Sequence, residues 1–358
     1  MTRREAKTID IGGVRIGGTN PIAVQSMTNT DTRDAEVTLR QVKALAKAGC
    51  AIVRCAVPDA EAAEALKTVV RKSPVPIVAD IHFDYRLALA SIEAGVSKVR
   101  INPGNIGGDD RLAEVIRAAK ARRIPIRIGV NSGSVSREIL AKHGGHANAE
   151  ALAESAFEMV RKVEALGFDD IVVSIKSSSA KTNYDAHMLL ADRIPYPFHL
   201  GITEAGTPTS GKTISAIGIG SLLMQGIGDT IRVSLTGDPL NEIPAAYDIL
   251  RALDLLPSAI RLVCCPTCGR TRIDLPAVAA EVEKGLPALE NERRLAGKPG
   301  LRVALMGCAV NGPGEARDAD CGCACGVNEG LLFRRGEILG KVPANEIPAA
   351  LFKLIREQ

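Results

Sequence analysis

Cys265-Pro-Thr-Cys268 places two thiols on one tight turn, a spacing from which both sulfurs reach a single metal centre. Cys308 closes a separate apolar run, RVALMGC from Arg302. Glu315 stands beyond a Gly-Pro-Gly turn in Cys308-Ala-Val-Asn-Gly-Pro-Gly-Glu315, and that turn can fold its carboxylate back toward Cys308. Three thiolates plus one ligand of a different kind hold a four-iron cluster so that one iron is chemically distinct and open. The same thiols suit zinc or, as a C-x-x-C pair, thiol exchange. Spacing alone divides iron-sulfur from zinc about evenly.

The chain has nine cysteines, and seven of them (Cys264, Cys265, Cys268, Cys308, Cys321, Cys323 and Cys325) fall after residue 260. The opening MTRREAKTIDIGG is charged and lacks the apolar stretch of a secretory signal, which implies a cytoplasmic protein whose thiols serve as ligands or catalysts rather than disulfides. No apolar run approaches the length of a membrane span. A net charge of +4, no Trp and only ten Phe and Tyr together leave little stacking surface for nucleic acid, so neither membrane nor nucleic acid is expected as a partner.

The elements that must position these groups follow from periodicity. Before residue 240 there are eight short runs rich in Val and Ile: PIAVQSM from Pro21, AIVRCAV from Ala51, PIVADIHF from Pro76, KVRINPG from Lys98, PIRIGVN from Pro125, DIVVSIK from Asp170, FHLGITE from Phe198 and TIRVSLTG from Thr230. Between them lie segments with helical spacing, such as VTLRQVKALAKAG from Val37. Eight alternating βα units with continuous hydrophobicity predict an α/β fold, a (β/α)8 TIM barrel over residues 1–257, with an open doubly wound sheet as the alternative. Residues 258–358 carry two cysteine-bearing runs, a hairpin at LLFRRGEILGKV and a final helical stretch, which predict a smaller α/β domain.

In such a barrel the reacting groups sit at the carboxyl ends of the strands. Arg54, Arg100, Arg127, Lys176 and Arg232 each stand late in an apolar run, where burying a charge is costly unless an anion meets it. Any one of them is more simply read as the partner of a loop carboxylate, but five together point to a strongly anionic ligand such as a diphosphate. Asp80, His82, Asn102, Asn131 and Glu204 fall in the same layer, with Glu204 ranked first as a general acid. Gly206-Thr-Pro-Thr-Ser-Gly-Lys212-Thr213 fits the phosphate-loop pattern at every fixed position. Against a nucleotide site, it is the seventh loop of a barrel series, and no later strand ends directly in the Asp that would complete a magnesium site.

The segments VQSMTNTDT, KVRINPGNIG, IRIGVNSGS, SIKSS, GITEAG, IRVSLTGDP, CPTCGRT and GCAVNGPGEA, in this order, closely resemble the 4-hydroxy-3-methylbut-2-en-1-yl diphosphate synthase family of the non-mevalonate isoprenoid pathway. The resemblance spans nearly the whole chain. It implies a barrel that binds 2-C-methyl-D-erythritol 2,4-cyclodiphosphate and a [4Fe-4S] cluster held by Cys265, Cys268, Cys308 and Glu315, through which two electrons open and dehydroxylate the ring. It further implies substrate contacts from Arg54, Arg100, Arg127, Lys176, Arg232, Asn131 and Ser234, with Asp80 and His82 beside them, and an acid at the reacting carbon in Glu204. Reduced flavodoxin or ferredoxin is the implied electron donor. The implied assembly is a homodimer in which the cluster domain of one chain covers the barrel mouth of the other.

One stretch departs from the family. Where its pattern is apolar and glycine-rich, this chain has Ala319-Asp-Cys-Gly-Cys-Ala-Cys-Gly326. Cys321, Cys323 and Cys325 are read first as small hydrophobes in a buried strand, which would put all three thiols on one face. A second metal, or exchange into the cluster, is the other reading, and Cys264 raises the same question.

Overall fold

The computed structural model describes residues 2–102, 104–308 and 318–358. These form two compact units, one ending at Ile249 and the other running from Leu250 to Gln358. No helix among the described residues is long and apolar enough to cross a membrane.

The first unit opens with a small antiparallel hairpin, β1 (Ile9–Ile11) and β2 (Val14–Ile16). Gly12 and Gly13, at φ +58° and +93°, supply the left-handed pair that a two-residue hairpin turn needs. Eight parallel strands follow: β3 (Ala23–Met27), β4 (Ile52–Ala56), β5 (Ile77–Asp80), β6 (Lys98–Ile101), β7 (Ile126–Asn131), β8 (Ile171–Lys176), β9 (His199–Leu200) and β10 (Thr230–Ile231). They correspond to the eight apolar runs. The strands pair in the order β8-β7-β6-β5-β4-β3-β10-β9, and a parallel bridge from Val173 to Phe198 joins the two ends into a barrel. Helices between the strands start on side-chain caps, among them Asp34, Asp59, Asn148 and Ser179, each accepting a backbone N–H of the first turn.

Side chains alternate across each strand, so register decides which groups fill the barrel. Cα pairing of Asp80 with Arg100 and of Arg100 with Arg127 puts these three in one interior band. Val78 pairs with Lys98 one step toward the amino end. At that end Ala23, Ile52, Val78 and Val172 pack against Ile9, Ile11 and Ile16, so the hairpin plugs the bottom of the barrel.

The second unit is a five-stranded sheet in the order β11 (Ile260–Cys264), β12 (Leu301–Met306), β13 (Cys321–Cys325), β14 (Glu329–Arg334) and β15 (Glu337–Pro343). The first three strands run parallel, and the last two form the antiparallel hairpin expected at LLFRRGEILGKV. Helices Leu275–Leu295 and Ile347–Glu357 supply the apolar residues that pack on one face of this sheet. Cys321, Cys323 and Cys325 are fully buried in that same core, beside Val282, Leu286 and Leu351.

Candidate active site

Asp80, at the end of β5, organises the barrel interior. Arg100 Nη1 donates to its Oδ1 at 3.0 Å, and Arg54 Nε lies 3.5 Å from its Oδ2, with all three side chains almost completely buried. His82 Nε2 approaches Asp80 Oδ2 at 3.6 Å and Arg100 Nη1 at 3.2 Å. Burial alone would raise the Asp80 carboxyl, but Arg54, the His82 hydrogen bond, Arg100 and Arg127 outweigh it and hold the group well below the usual carboxylate range. Burial conversely draws Arg54 down to about 10, opposed by Asp80.

Arg232 has a separate anchor. Its Nε and Nη2 donate to the two oxygens of Glu242 at 3.1 and 3.0 Å, a bidentate pair. Ser26 Oγ and the Leu235 N–H complete the carboxylate's partners at 2.7 and 3.2 Å. Met27 fills the space between the two arginine systems, its sulfur 3.1 Å from Arg54 Nε and 3.7 Å from Arg232 Nη1.

Among the described residues Arg127 and Lys98 have no such anchor. Arg127 is 1% exposed, and its Nε and Nη1 find no hydrogen-bond partner among the described residues; Arg100 Nε and Lys98 Nζ are in the same position. Lys176, paired in register with Asn131, is driven well below its ordinary pKa by burial and by Arg54, Arg232, Arg127 and Arg100. Among the described residues, Arg54, Lys98, Arg100, Arg127, Lys176 and Arg232 therefore face only the two carboxylates Asp80 and Glu242. Two glycines make room for this crowd. A methyl group at Gly129 would meet Arg100 Nε at 2.6 Å, and one at Gly201 would meet Lys176 Nζ at 2.9 Å and the Arg232 carbonyl at 2.8 Å.

The rim carries the remaining groups expected from the sequence. Asn102 is buried, its Oδ1 accepting the Gly104 N–H at 3.2 Å, while Asn131, the last residue of β7, and Ser234, beyond β10, are half-buried. Glu204 follows β9 on an exposed loop at φ +53°, a left-handed conformation that non-glycine residues rarely adopt. It takes no part in the ion pairs that hold Asp80 and Glu242.

The phosphate-loop pattern does not form a phosphate loop. The helix begins at Pro208, inside the pattern, and the Gly211 N–H donates to the Thr207 carbonyl at 2.7 Å. The Gly211 amide that a cradle would aim at phosphate is thus committed to the helix, and Lys212 and Thr213 are exposed.

In the second unit Cys265 and Cys268 follow β11, and Cys308 follows its parallel neighbour β12. The Gly307 N–H, next to Cys308, donates to Cys265 Sγ at 3.1 Å, so the two cysteine loops already meet through a sulfur. Cys268 is exposed, and its loop is tied by Cys268 N–H to Thr271 Oγ1 at 3.1 Å. This donor set, soft thiols with a backbone N–H aimed at one sulfur, fits a cluster or a thiophilic metal. Among the described residues no three His, Cys, Asp or Glu side chains form a closed metal cage, and Glu315 lies outside the described residues. Burial raises the thiol of Cys321 to about 11, and that of Cys323 also rises, through its hydrogen bond to Cys325 and through burial. The same hydrogen bond lowers Cys325, so it is the complete burial of all three in an apolar core, rather than their acidity, that fits packing thiols.

Comparisons with known proteins match the two parts of the chain separately. The model of the GcpE TIM-barrel domain matches residues 6–247, and that of the GcpE protein C-terminal domain matches residues 261–357. The chain belongs to the GcpE family. It is 55% identical over 349 residues to the 4-hydroxy-3-methylbut-2-en-1-yl diphosphate synthase (flavodoxin) of Geobacter sulfurreducens, covering 98% of this chain and 96% of that one. The enzyme of the same name from Clostridium perfringens is 52% identical over 355 residues, 99% of each chain. Among solved structures, the dihydropteroate synthase of Thermus thermophilus aligns at a TM-score of 0.52 and 14% identity over 70% of this chain and 99% of that one, a likeness of barrel fold alone.

Three functional candidates escape a reading of strand-end motifs. Lys98 stands two residues before Arg100, so strand alternation alone would have placed it inside the barrel. His199 occupies the equivalent inward position on β9, pairing with Thr230. Glu242 begins a helix far from any strand end, and nothing local marks it as the partner of Arg232.

Two outcomes follow. Replacing Glu242 by Ala strands Arg232 and is expected to cost about 3 kcal/mol of stability, read by urea denaturation. Replacing Cys321, Cys323 and Cys325 together by Ala or Val is expected to leave the iron content of anaerobically purified protein unchanged; loss of iron would make them ligands.

Proposed function

We propose that the chain reduces 2-C-methyl-D-erythritol 2,4-cyclodiphosphate to 4-hydroxy-3-methylbut-2-en-1-yl diphosphate, consuming two electrons and two protons and releasing one water. The observation that carries the reading is the barrel interior, where buried cations outnumber the carboxylates and several donor atoms lack partners among the described residues. A cyclic diphosphate has one ionised oxygen on each phosphoryl group, a compact double charge that matches such a surplus. Its full-length likeness to the two curated synthases supports the same substrate.

Each residue then has a task. Arg54, Arg100, Arg127, Lys176 and Arg232 hold the phosphoryl oxygens, and Asn131 and Ser234 contribute neutral hydrogen bonds. Asp80 and Glu242 keep Arg54, Arg100 and Arg232 aimed, so that little side-chain entropy remains to be lost on binding. His82, linked to both Asp80 and Arg100, continues that network to the rim. Glu204, outside the interior ion pairs, delivers a proton to the departing hydroxyl oxygen.

Cys265, Cys268, Cys308 and Glu315 are the proposed ligands of a [4Fe-4S] cluster. When bound, the cluster supplies the two electrons, drawn from reduced flavodoxin, with ferredoxin as the alternative donor. The protein is proposed to act as a homodimer in the cytoplasm, a reducing compartment that suits a chain with nine cysteines and no disulfide among its described residues.

Anaerobic purification with iron and sulfide analysis tests the cluster. Wild type is expected to retain both and Cys265→Ser to lose them, whereas a colourless protein with stoichiometric zinc after reconstitution would refute the assignment. Glu204→Gln is expected to keep the cluster spectrum while turnover falls at least about a hundredfold, the scale of a lost general acid. Unimpaired turnover would remove Glu204 from the reaction.

A further inference from the structure

One buried group has no task in this scheme. Lys98 sits on β6, completely buried, two residues below Arg100 and facing inward, and its Nζ has no hydrogen-bond partner among the described residues. His199, on β9, is likewise buried inside the barrel with both ring nitrogens unpartnered among those residues. An ammonium buried with neither a counter-ion nor an acceptor is unfavourable, and its simplest escape is to give up the proton. Arginine lacks that escape, so Arg127 and Arg54 remain charged beside Lys98.

We propose that Lys98 is a proton reserve beneath the substrate site, neutral in the free enzyme and protonated from solvent when a diphosphate dianion fills the barrel mouth. Among the described residues, the charged groups that act on it are Arg127 on β7 and Arg54 on β4, and it acts in turn on His199 on β9; Arg100 follows two residues later on its own strand. The carboxylate that braces this part of the barrel, Asp80, already serves Arg54 and Arg100. Burial first, then Arg127 and Arg54, push Lys98 well below its ordinary value. The same causes, with Lys176 and Lys98 added, depress His199. A dianion among these guanidinium groups reverses the local field and restores the charge on Lys98. Substrate affinity is thereby tied to pH: protons are taken up on binding, so affinity weakens as pH rises.

The inference rests on diphosphate binding at this mouth, and the experiment separates the two claims. The cyclic diphosphate, which has no acid group titrating near neutrality, is bound to the cluster-loaded enzyme without reductant, so that no turnover occurs. Calorimetry in buffers of different ionisation enthalpy between pH 7 and 9 counts the protons. Wild type is expected to take up close to one proton per site, with Kd rising by up to about tenfold per pH unit across the window. Lys98→Met is expected to bind with the same stoichiometry, to lose the uptake and to flatten that dependence, while His199→Asn retains the uptake. Absence of binding would refute the substrate assignment. Binding without proton uptake, or uptake that persists in Lys98→Met or vanishes in His199→Asn, would overturn the role of Lys98.

Folding provides a second readout. Because the folded-state pKa of Lys98 is depressed, its penalty is present at pH values below the depressed value and fades toward the unfolded value near 10.4. Lys98→Met is therefore expected to raise Tm at neutral pH. An unchanged or lower Tm would mean that Lys98 already has a compensating partner.

Discussion

Positive charge without enough counter-charge, held in a barrel interior, is the constraint to which much of the first unit answers. Arginine cannot shed its proton, so a buried cluster of guanidinium groups must be braced by carboxylates or filled by a ligand. Asp80 and Glu242 provide the bracing, one for Arg54 and Arg100, the other for Arg232. The hairpin that plugs the amino end confines any filling anion to the opposite end, where the strand-end residues are. The barrel interior is thus an unfinished electrostatic balance.

The second unit rests on a different economy. Parallel strands β11 and β12 end side by side, so two cysteine loops widely separated in sequence meet at one sheet edge, linked by the Gly307 N–H on Cys265. Three further thiols in β13 face the opposite demand, filling an apolar core with small side chains. Position relative to the sheet, rather than residue type, separates the accessible thiols of the two loops from the buried thiols of β13. A cysteine covered by the helices packs as a small hydrophobe, while one on a loop beyond a strand stays accessible.

Much of this architecture was legible in the sequence, because a parallel sheet buried on both faces writes its strands as uninterrupted Val and Ile runs. The eight runs became eight strands, and the cations late in them point into the barrel because alternation leaves them no other face. The hairpin of β1 and β2 was less legible, since three-residue strands are too short to show a period. Glu242 was hidden for another reason: its role comes from tertiary approach to Arg232, across a loop that carries no signature of it. The phosphate-loop pattern misled because its residues acquire meaning only from backbone conformation, and here the helix starts too early.

Gly129 and Gly201 show how a binding site can be specified by atoms that are missing. Neither has a positive φ, so the backbone would accept other residues at both positions. What forbids them is the guanidinium of Arg100 at Gly129, and the Arg232 carbonyl together with the Lys176 side chain at Gly201, already occupying the volume a β-carbon would take. A drift to alanine at Gly129 would leave the strand's φ unstrained and would spoil the aim of a charge, whereas at Gly201 it would also press on the backbone just after β10. The fold's tolerance of mutation and the charge cluster's tolerance of mutation are therefore different maps, and they part at Gly129.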